Sequence, residues 1–198
     1  EKIDFDVETR SGNEQLVAVL FTDIVGFTSI SESLKAEEVV ELLSEYQTRM
    51  VAPIFKNFGT VDKFIGDAVM ATFGTPRSRG NDAQNAFECA RQMQTAMRQW
   101  SKERSEKSLP EIQHRVGIHI GHCIVGNIGS DERIEFSVIG DSVNVASRIC
   151  SACKELEANV LISDEVKLRL SEKIDTDIVE NFEIRGREEG ITLHKVTI

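Results

Sequence analysis

The sequence predicts a mixed α/β (α+β) fold with a ferredoxin-like β-α-β-β-α-β core and extra C-terminal strands and helices. Three observations support this prediction: apolar runs typical of buried strands, longer segments with apolar residues at helical spacing, and breaks rich in Gly or Pro between them. With 198 residues, 40% hydrophobic and 28% charged, the chain has the size and composition of one domain. We assign residues 15–198 to that domain and residues 1–14 to a polar linker stub.

The first half of the chain supplies the first strand, two long helices and a hairpin. Residues 16–21 form a continuous apolar run, which predicts a strand buried on both faces, followed by a loop. Apolar residues recur at helical spacing over residues 36–57 and 82–104, which predicts two helices. Between them, two short runs rich in β-formers flank Gly66-Asp67, which predicts a hairpin over residues 60–71 with Asp67 at its tip.

The second half of the chain extends this core. It closes the core with a strand and then adds a turn-rich arm, a helix, a short strand and a terminal hairpin. The predicted segments are strands over 115–120 and 122–128, an arm over 129–135, a strand over 136–139, a helix over 142–152, a strand over 160–163, a helix over 164–170 and a hairpin that pairs 178–184 with 191–198.

The acidic charge of the chain narrows the function classes. A formal net charge of −10 argues against nonspecific binding to nucleic acid, which needs a basic surface. No apolar run has the length of a transmembrane helix, and the start lacks the features of a signal peptide. We expect a cytoplasmic domain. Because the chain opens at Glu1 without Met, we also expect a longer protein whose upstream regulatory or membrane region could tether this domain to the membrane.

Two aspartates stand where predicted strands end. Asp23 closely follows the first strand, and Asp67 lies at the hairpin tip. If these strand ends are adjacent, the two carboxylates form a pair that suits hard cations such as Mg²⁺ or Mn²⁺, and two ions can share such a pair in phosphoryl or nucleotidyl transfer. A purely structural interpretation has equal weight from the pattern alone, with Asp23 capping a turn and Asp67 belonging to an ordinary hairpin.

A second polar pair lies on the predicted helix after the arm. Asn144 and Arg148 are four residues apart and therefore project from one face of that helix. Together they could orient a ribose and stabilise phosphate charge in a transition state. In isolation, the same two residues on a solvated helix face would be the simpler interpretation.

Four segments of the chain resemble the catalytic domain of class III nucleotidyl cyclases, in the family's order and spacing. The resemblance covers the chain from about Leu16 to the C-terminus, and the segments are residues 21–28 (FTDIVGFT), 63–67 (KFIGD), 117–121 (GIHIG) and 139–148 (IGDSVNVASR). It implies conversion of ATP to cyclic AMP and pyrophosphate by attack of the ribose 3′-oxygen on the α-phosphate. On the family pattern, Asp23 and Asp67 ligate two Mg²⁺ or Mn²⁺ ions, the Ile24 carbonyl assists one of them, and Phe27 and Thr28 cradle the triphosphate.

The resemblance also indicates which residues read the base. Lys63 and Ser137 fall at the positions that touch the purine edge in the family. A lysine donates to adenine N1 and a serine hydroxyl can accept from the 6-amino group, whereas guanine reverses both polarities. Guanylyl cyclases resemble this chain but carry a glutamate where Lys63 stands, so we predict ATP as the substrate.

Two departures from the family pattern qualify these expectations. Many members carry Asp or Thr in place of Ser137; the Thr-type subgroup includes bicarbonate-responsive enzymes, so bicarbonate is a hypothetical activator. In the final hairpin, where the family usually has a phosphate-binding lysine before a glycine, this chain has Arg185-Gly186-Arg187. Arg185 should bind phosphate, with Arg187 as the alternative and Arg133 as a weaker candidate.

Family members form their sites between two catalytic domains. This chain carries two complementary half-sets of such a site: the metal ligands Asp23 and Asp67, and the set Lys63, Ser137, Asn144, Arg148 and Arg185. The resemblance therefore implies a homodimer with two equivalent sites. The alternatives are a guanylyl cyclase and a catalytically silent, nucleotide-binding regulatory domain. A diguanylate cyclase lacks support, because residues 63–67 do not contain its Gly-Gly-acidic-acidic-Phe hairpin.

Other motifs favour structural roles. Cys150 and Cys153 form a C-x-x-C motif without a second pair, which favours buried helix cysteines over zinc or redox chemistry. The spacing of His119 and His122 favours two ordinary strand histidines over a metal site. The glycines of residues 121–129 are not followed by Gly-Lys-Ser/Thr, which excludes a P-loop.

Overall fold

The computed structural model describes residues 12–130, 132–187 and 189–198, and it confirms the predicted mixed α/β architecture. The strands are β1 (Gly12–Ile24), β2 (Thr60–Ile65), β3 (Ala68–Phe73), β4 (His114–Gly129), β5 (Ile134–Ile139), β6 (Val160–Ser163), β7 (Asp177–Phe182) and β8 (Ile191–Lys195). The helices are α1 (Phe27–Glu32), α2 (Ala36–Lys56), α3 (Asp82–Glu106), α4 (Asp141–Glu155) and α5 (Asp164–Lys167).

The described strands form one sheet in the order β2-β3-β1-β4-β6-β8-β7, with β5 paired to β4. All neighbouring pairs are antiparallel except β4 and β6, which run parallel. The succession β1, α2, β2, β3, α3, β4 is the predicted ferredoxin-like core. This order places the end of β1 beside both the β2–β3 hairpin and the start of β4.

Helices α2 and α3 cover one face of the sheet. Alternate residues of β1, such as Ala18 and Leu20, join Tyr46 and Met50 of α2 and Trp100 of α3 in one buried cluster. Trp100 donates its indole N–H to Glu45 at 2.8 Å, and the Arg49 guanidinium lies 5.1 Å from the centre of the Trp100 ring. Burying one large apolar side chain contributes roughly 1.5–3 kcal/mol, so this cluster fixes the two helices on the sheet.

Helix α4 packs on the opposite face. There Val17, Val19 and Phe21 of β1 form a second cluster with residues of β3, β4, β5 and α4. Gly117 allows the close approach of α4, because a Cβ atom at this position would overlap the backbone of Cys150. Both faces of β1 are therefore buried, as its continuous apolar run predicts.

The structure corrects several predicted boundaries. The two predicted strands over 115–120 and 122–128 are one strand, β4, because β1 pairs with it over thirteen consecutive residues and leaves no break at Gly121. A short helix, α1, occupies part of the predicted loop after β1. Helix α5 ends at Lys167 rather than Leu170. Strand β1 begins at Gly12, so residues 12–14 of the predicted stub belong to it, while residues 1–11 lie outside the described residues.

In the part of the chain that the structure describes, no helix is both long enough and apolar enough to cross a membrane.

Candidate active site

The structure brings Asp67 to the end of β1. The hairpin turn between β2 and β3 contains Gly66 with a φ of 62°, a left-handed conformation that glycine adopts at little cost. Asp67 follows in this turn, and its Oδ2 atom accepts a hydrogen bond of 2.9 Å from the backbone N–H of Ile24. The two predicted carboxylates, Asp23 and Asp67, therefore stand at adjacent strand ends, which is the condition for a carboxylate pair.

The Asp23 carboxylate is paired with Arg115, a residue that the sequence analysis missed. Asp23 and Arg115 are directly opposite across β1 and β4. The guanidinium donates two hydrogen bonds, of 2.9 Å from Nε and 3.2 Å from Nη2, to the two carboxylate oxygens. The sequence shows only a lone arginine at the start of the apolar strand predicted over 115–120, and it does not show that this strand pairs with β1.

The electrostatics of this pair reflect partial burial. Burial raises the pKa of Asp23, and the hydrogen bonds and charge of Arg115 lower it, while the neighbouring Asp67 charge raises it again. A second cation next to Asp23 would stabilise its charged form. The site thus contains two carboxylates and one guanidinium. A metal cation that binds Asp23 would compete with Arg115 for the same carboxylate.

A cleft of about 690 Å³ opens next to these residues. Its lining includes Asp23, Ile24, Asp67 and Arg115, together with Phe27 and Thr28 at the start of α1. This volume is in the range of small-molecule sites. Among the described residues, no group of three or more His, Cys, Asp or Glu side chains gathers that could hold a metal ion alone. A cation here would need further oxygen ligands, such as the Ile24 carbonyl, water or phosphate.

The second predicted set lies on and beside α4. Asn144 is exposed and Arg148 is half-buried. Gly186, in the loop between β7 and β8, lies against Arg148: a Cβ atom at this position would come within 3.4 Å of Arg148 Nη1. The final loop is thus adjacent to the Arg148 guanidinium.

The two arginines of this loop differ in their surroundings. The Nε atom of Arg187 lies 3.5 Å from Asp141 Oδ2, at the start of α4. Arg185 is exposed, and no ion pair to it is found among the described residues. This difference favours Arg185 over Arg187 as the free cation. Arg133, the weaker candidate, is paired with Glu135.

Lys63 and Ser137 border one buried cluster. Lys63 is opposite Met70 in the β2–β3 ladder, and Ser137 directly precedes Val138 in β5. Met70 and Val138 both belong to the cluster beneath α4. Lys63 therefore lies on the side of the sheet that carries α4, whereas Ser137, as the strand neighbour of Val138, points to the opposite face of β5.

The second set of residues does not line the cleft of the same chain. Of the described residues that line the Asp23–Asp67 cleft, none is Lys63, Ser137, Asn144, Arg148 or Arg185.

A buried hydrogen-bond network links Thr22, which precedes Asp23 in β1, to Tyr46 and His114. The Oγ1 atom of Thr22 lies 2.8 Å from the Tyr46 hydroxyl and 3.0 Å from His114 Nδ1. His114 Nε2 is buried without a hydrogen-bond partner among the described residues, and burial lowers the pKa of this histidine to about 3. The network therefore ties α2 to the ends of β1 and β4 around a neutral histidine.

The remaining predicted structural residues behave as expected. Cys89, Cys123, Cys150 and Cys153 are all buried and free. Burial raises the pKa of Cys153 to about 12, which makes a reactive thiolate unfavourable. His119 is buried against Ser163 at 2.9 Å, whereas His122 is exposed, so the two do not converge on one site.

Comparison with known proteins identifies relatives along nearly the whole chain. The family described as the adenylate and guanylate cyclase catalytic domain matches residues 9–196. The chain is 33% identical over 187 residues to adenylate cyclase 1 of Rhizobium meliloti, covering 94% of this chain and 28% of that protein. It is 35% identical over 198 residues to an adenylate cyclase of Anabaena cylindrica, covering 96% of this chain and 38% of that protein. The chain thus spans about a third of the length of these curated relatives.

Solved structures show the same fold. The adenylyl cyclase CyaB of P. aeruginosa is 32% identical, with a TM-score of 0.87 and coverage of 95% of this chain and 96% of that chain. The guanylyl cyclase Cya2 is 30% identical, with a TM-score of 0.85 and coverage of 93% of both chains. Overall similarity to the two is nearly equal, so the choice of base depends on individual residues.

Proposed function

The chain belongs to the adenylate and guanylate cyclase catalytic domain family, and from this premise we propose that residues 15–198 convert ATP to 3′,5′-cyclic AMP and pyrophosphate. The observation that carries the proposal is the carboxylate pair, which the hydrogen bond from Ile24 N–H to Asp67 holds at the end of β1. The curated relatives named adenylate cyclase support the same reaction.

The residues at the cleft fit two divalent cations. Asp23, Asp67 and the Ile24 carbonyl are hard oxygen donors, which suit Mg²⁺ or Mn²⁺ and leave coordination positions for phosphate oxygens. When bound, two such ions would activate the attacking oxygen and neutralise charge on the leaving group. Cations bound at Asp23 would weaken its ion pair with Arg115, whose guanidinium would then be available to bind the triphosphate next to Phe27 and Thr28.

The α4 side supplies orientation and charge stabilisation. We assign Asn144 to orientation of the ribose, so that its 3′-oxygen faces the α-phosphate. Arg148 stabilises the charge that develops on that phosphate as the bond to the pyrophosphate oxygen breaks. Arg185 binds the polyphosphate; its exposure and the pairing of Arg187 with Asp141 support this choice.

ATP is the proposed substrate because of two side chains. Lys63 donates to adenine N1, and the Ser137 hydroxyl accepts from the 6-amino group. With guanine, the lysine would face an N–H donor and leave polar groups unpaired in the site. Lys63 lies on the side of the sheet that carries α4, opposite Met70 of the cluster beneath that helix.

Two copies of the chain complete each site. Because the cleft of one chain lacks the α4 set, we propose a head-to-tail homodimer in which each site takes Asp23 and Asp67 from one chain and Lys63, Ser137, Asn144, Arg148 and Arg185 from the other. Exposed apolar side chains support an interface on the hairpin and around β5. They are Phe64, Ile65, Ile124, Phe136 and Ile139.

Product formation tests the proposal. ATP and GTP are each supplied with Mn²⁺ or Mg²⁺ at several protein concentrations, and cyclic AMP and cyclic GMP are quantified. We expect cyclic AMP, with a specific activity that rises with protein concentration. Cyclic GMP as the main product would assign the chain to guanylyl cyclases, and no cyclic nucleotide at dimer-saturating concentration would favour a silent regulatory domain.

Bicarbonate is a proposed activator, because Ser137 is chemically close to Thr. We expect cyclic AMP formation to rise about twofold or more when bicarbonate replaces chloride at fixed pH and ionic strength, whereas Ser137→Asp should abolish the response. Equal rates with both anions would exclude bicarbonate activation. Since the chain spans about a third of its curated relatives, we also propose that an upstream region regulates or tethers it.

A further inference from the structure

Strand β2 contains an irregularity immediately before Lys63. Val61 pairs with Ala71 of β3, and Lys63 pairs with the adjacent residue Met70, so Asp62 has no partner of its own in the ladder. Two residues facing one is the count of a β-bulge, a feature that re-aims side chains beside functional sites.

The bulge decides which face of the sheet Lys63 occupies. In a regular strand, Val61 and Lys63 would share a face. Instead, Val61 packs with Ala71 in the cluster under α2 and α3, while Lys63 is opposite Met70, which belongs to the cluster beneath α4. Without the bulge, Asp62 would take the place opposite Met70, and Lys63 would be turned toward the apolar α2–α3 side.

The Asp62 side chain is buried and has one nearby cation. It is 4% exposed, and its Oδ2 atom has no hydrogen-bond partner among the described residues. The Lys63 Nζ atom lies 3.2 Å from this oxygen. The distance is that of an ion pair, but the angle does not meet hydrogen-bond geometry. Because a buried carboxylate is costly without a counter-charge, Asp62 attracts the lysine ammonium.

The lysine keeps access to solvent while it is held. Its side chain is 46% exposed. An ammonium has three N–H donors, so an ion pair with Asp62 leaves donors available for a ligand. A lysine whose position is already restricted loses less conformational entropy when it binds a base than a free one does.

We propose that Asp62 is a positioning residue for purine selection: the bulge turns Lys63 to the α4 side of the sheet, and the buried Asp62 carboxylate holds the ammonium toward the purine edge. The inference rests on the proposed function, because it takes Lys63 as the residue that reads the base. A lysine held in place donates to adenine N1 and cannot withdraw from the N–H of guanine N1. Asp62 therefore sharpens the preference for ATP over GTP.

Asp62→Asn tests this role, because it keeps the shape of the side chain and removes its charge. Calorimetry measures binding of 3′-deoxy-ATP and 3′-deoxy-GTP, which lack the attacking oxygen and cannot be cyclised, and steady-state assays give kcat and KM for ATP and GTP. We expect about tenfold weaker binding of 3′-deoxy-ATP, a higher KM with a smaller change in kcat, and an ATP-to-GTP preference reduced by about the same factor. Asp177→Asn, at an exposed aspartate of β7, is the matched control and should change neither.

A double-variant cycle separates positioning from a structural effect. In a Lys63→Met background, Asp62→Asn should cause no further loss of selectivity, because its partner is already absent. Additive losses, or an unchanged ATP-to-GTP preference in Asp62→Asn alone, would overturn the inference. If circular dichroism shows that Asp62→Asn does not fold, Asp62→Ser enters the same cycle.

The outcomes also distinguish this inference from the proposed function. Selective binding of 3′-deoxy-ATP that depends on Asp62, without cyclic AMP formation by the unmodified chain, would refute the proposed function alone. Cyclic AMP formation with selectivity independent of Asp62 would refute the inference alone. A chain that binds neither nucleotide would refute both.

Discussion

At the scale of single residues, Gly186 places the backbone of the loop between β7 and β8 against Arg148. Its φ of 82° lies in the left-handed region, and the loop backbone at this point lies against the Arg148 guanidinium. Glycine is therefore needed at this position for its backbone conformation, which other residues adopt only with strain. The position of the Arg148 guanidinium therefore depends on the position of this loop.

We predict that Gly186→Ala lowers kcat for cyclic AMP formation about tenfold, because an alanine is strained at this φ and relief of the strain would move the loop backbone that lies against the Arg148 guanidinium. Gly80→Ala is the matched control: Gly80 has a similar φ of 85°, but a Cβ atom added there would meet no atom within 4 Å. Both variants should lose about 1 kcal/mol of unfolding free energy. Equal kcat values for the two variants would contradict a role of Gly186 in placing Arg148.

His114 gives a prediction for stability against pH. The folded state lowers the pKa of His114 from 6.5 to about 3 by burial, so below pH 6.5 the unfolded chain binds one more proton than the folded chain. The free energy of unfolding should therefore fall as pH decreases from about 6 to about 3, by roughly 1.4 kcal/mol per pH unit from this residue.

Urea unfolding at several pH values, with and without His114→Gln, measures this contribution. The variant should show a shallower loss of stability toward acid pH than the wild type. His122→Gln, at an exposed histidine, is the control and should follow the wild-type profile. Parallel profiles for wild type and His114→Gln would show that burial of His114 does not cause the acid sensitivity.

At the scale of elements, the contact between β4 and α4 fixes the position of the helix that carries Asn144 and Arg148 relative to the strand that carries Arg115. Strand β4 carries Arg115 near its start, and α4 carries Asn144 and Arg148 on a surface directed away from the sheet. The helix can approach because Gly117 has no side chain. The geometry of α4 is therefore set by the backbone of the strand on which it lies.

Gly117→Ala should destabilise the fold by about 1–3 kcal/mol, because a Cβ atom here overlaps the backbone of Cys150 and forces α4 away from β4. Urea unfolding measures the loss, and kcat should fall further than in a variant of equal stability that leaves α4 in place. Asn127→Ala, at an exposed residue of the same strand, should change neither quantity. A Gly117→Ala protein as stable as wild type would mean that α4 can shift without cost.

At the scale of the whole molecule, the separation of the two half-sets explains why a dimer is expected. The described lining of the Asp23–Asp67 cleft of one chain includes none of Lys63, Ser137, Asn144, Arg148 and Arg185, and exposed apolar side chains mark the hairpin and β5. A closed two-fold arrangement would complete two sites at once. Activity should therefore depend on association.

We predict complementation between two inactive variants. Asp67→Ala and Arg148→Ala proteins should each be inactive, but random exchange makes half of the dimers mixed, and each mixed dimer has one intact site. The mixture should thus recover about a quarter of the wild-type specific activity. Asp67→Ala mixed with Asp23→Ala is the control and should stay inactive, because both changes fall in the same half-set. Failure to recover activity despite mixed-dimer formation, measured by differential tagging, would contradict shared sites.

The sequence by itself determined the core and most of the candidate residues. The apolar run of β1, the helical spacing in α2 and α3 and the Gly66-Asp67 turn are local signals, because side-chain periodicity and turn chemistry are fixed by neighbouring residues. These signals predicted the succession of strands and helices in the ferredoxin-like core and placed Asp23 and Asp67 at strand ends, but only the β1–β3 pairing brings the two ends together. The motif spacing likewise predicted the family, which the comparisons confirm.

Only the tertiary structure decided the features that depend on pairing between distant segments. The ion pair of Asp23 with Arg115 follows from the β1–β4 register, the continuity of β4 from its long partner β1, and the face of Lys63 from the bulge at Asp62. Register is set by the packing of whole strands, and a shift of one residue exchanges the two faces of a strand. No local pattern in the sequence carries that information, which is why these three features appear only in the folded chain.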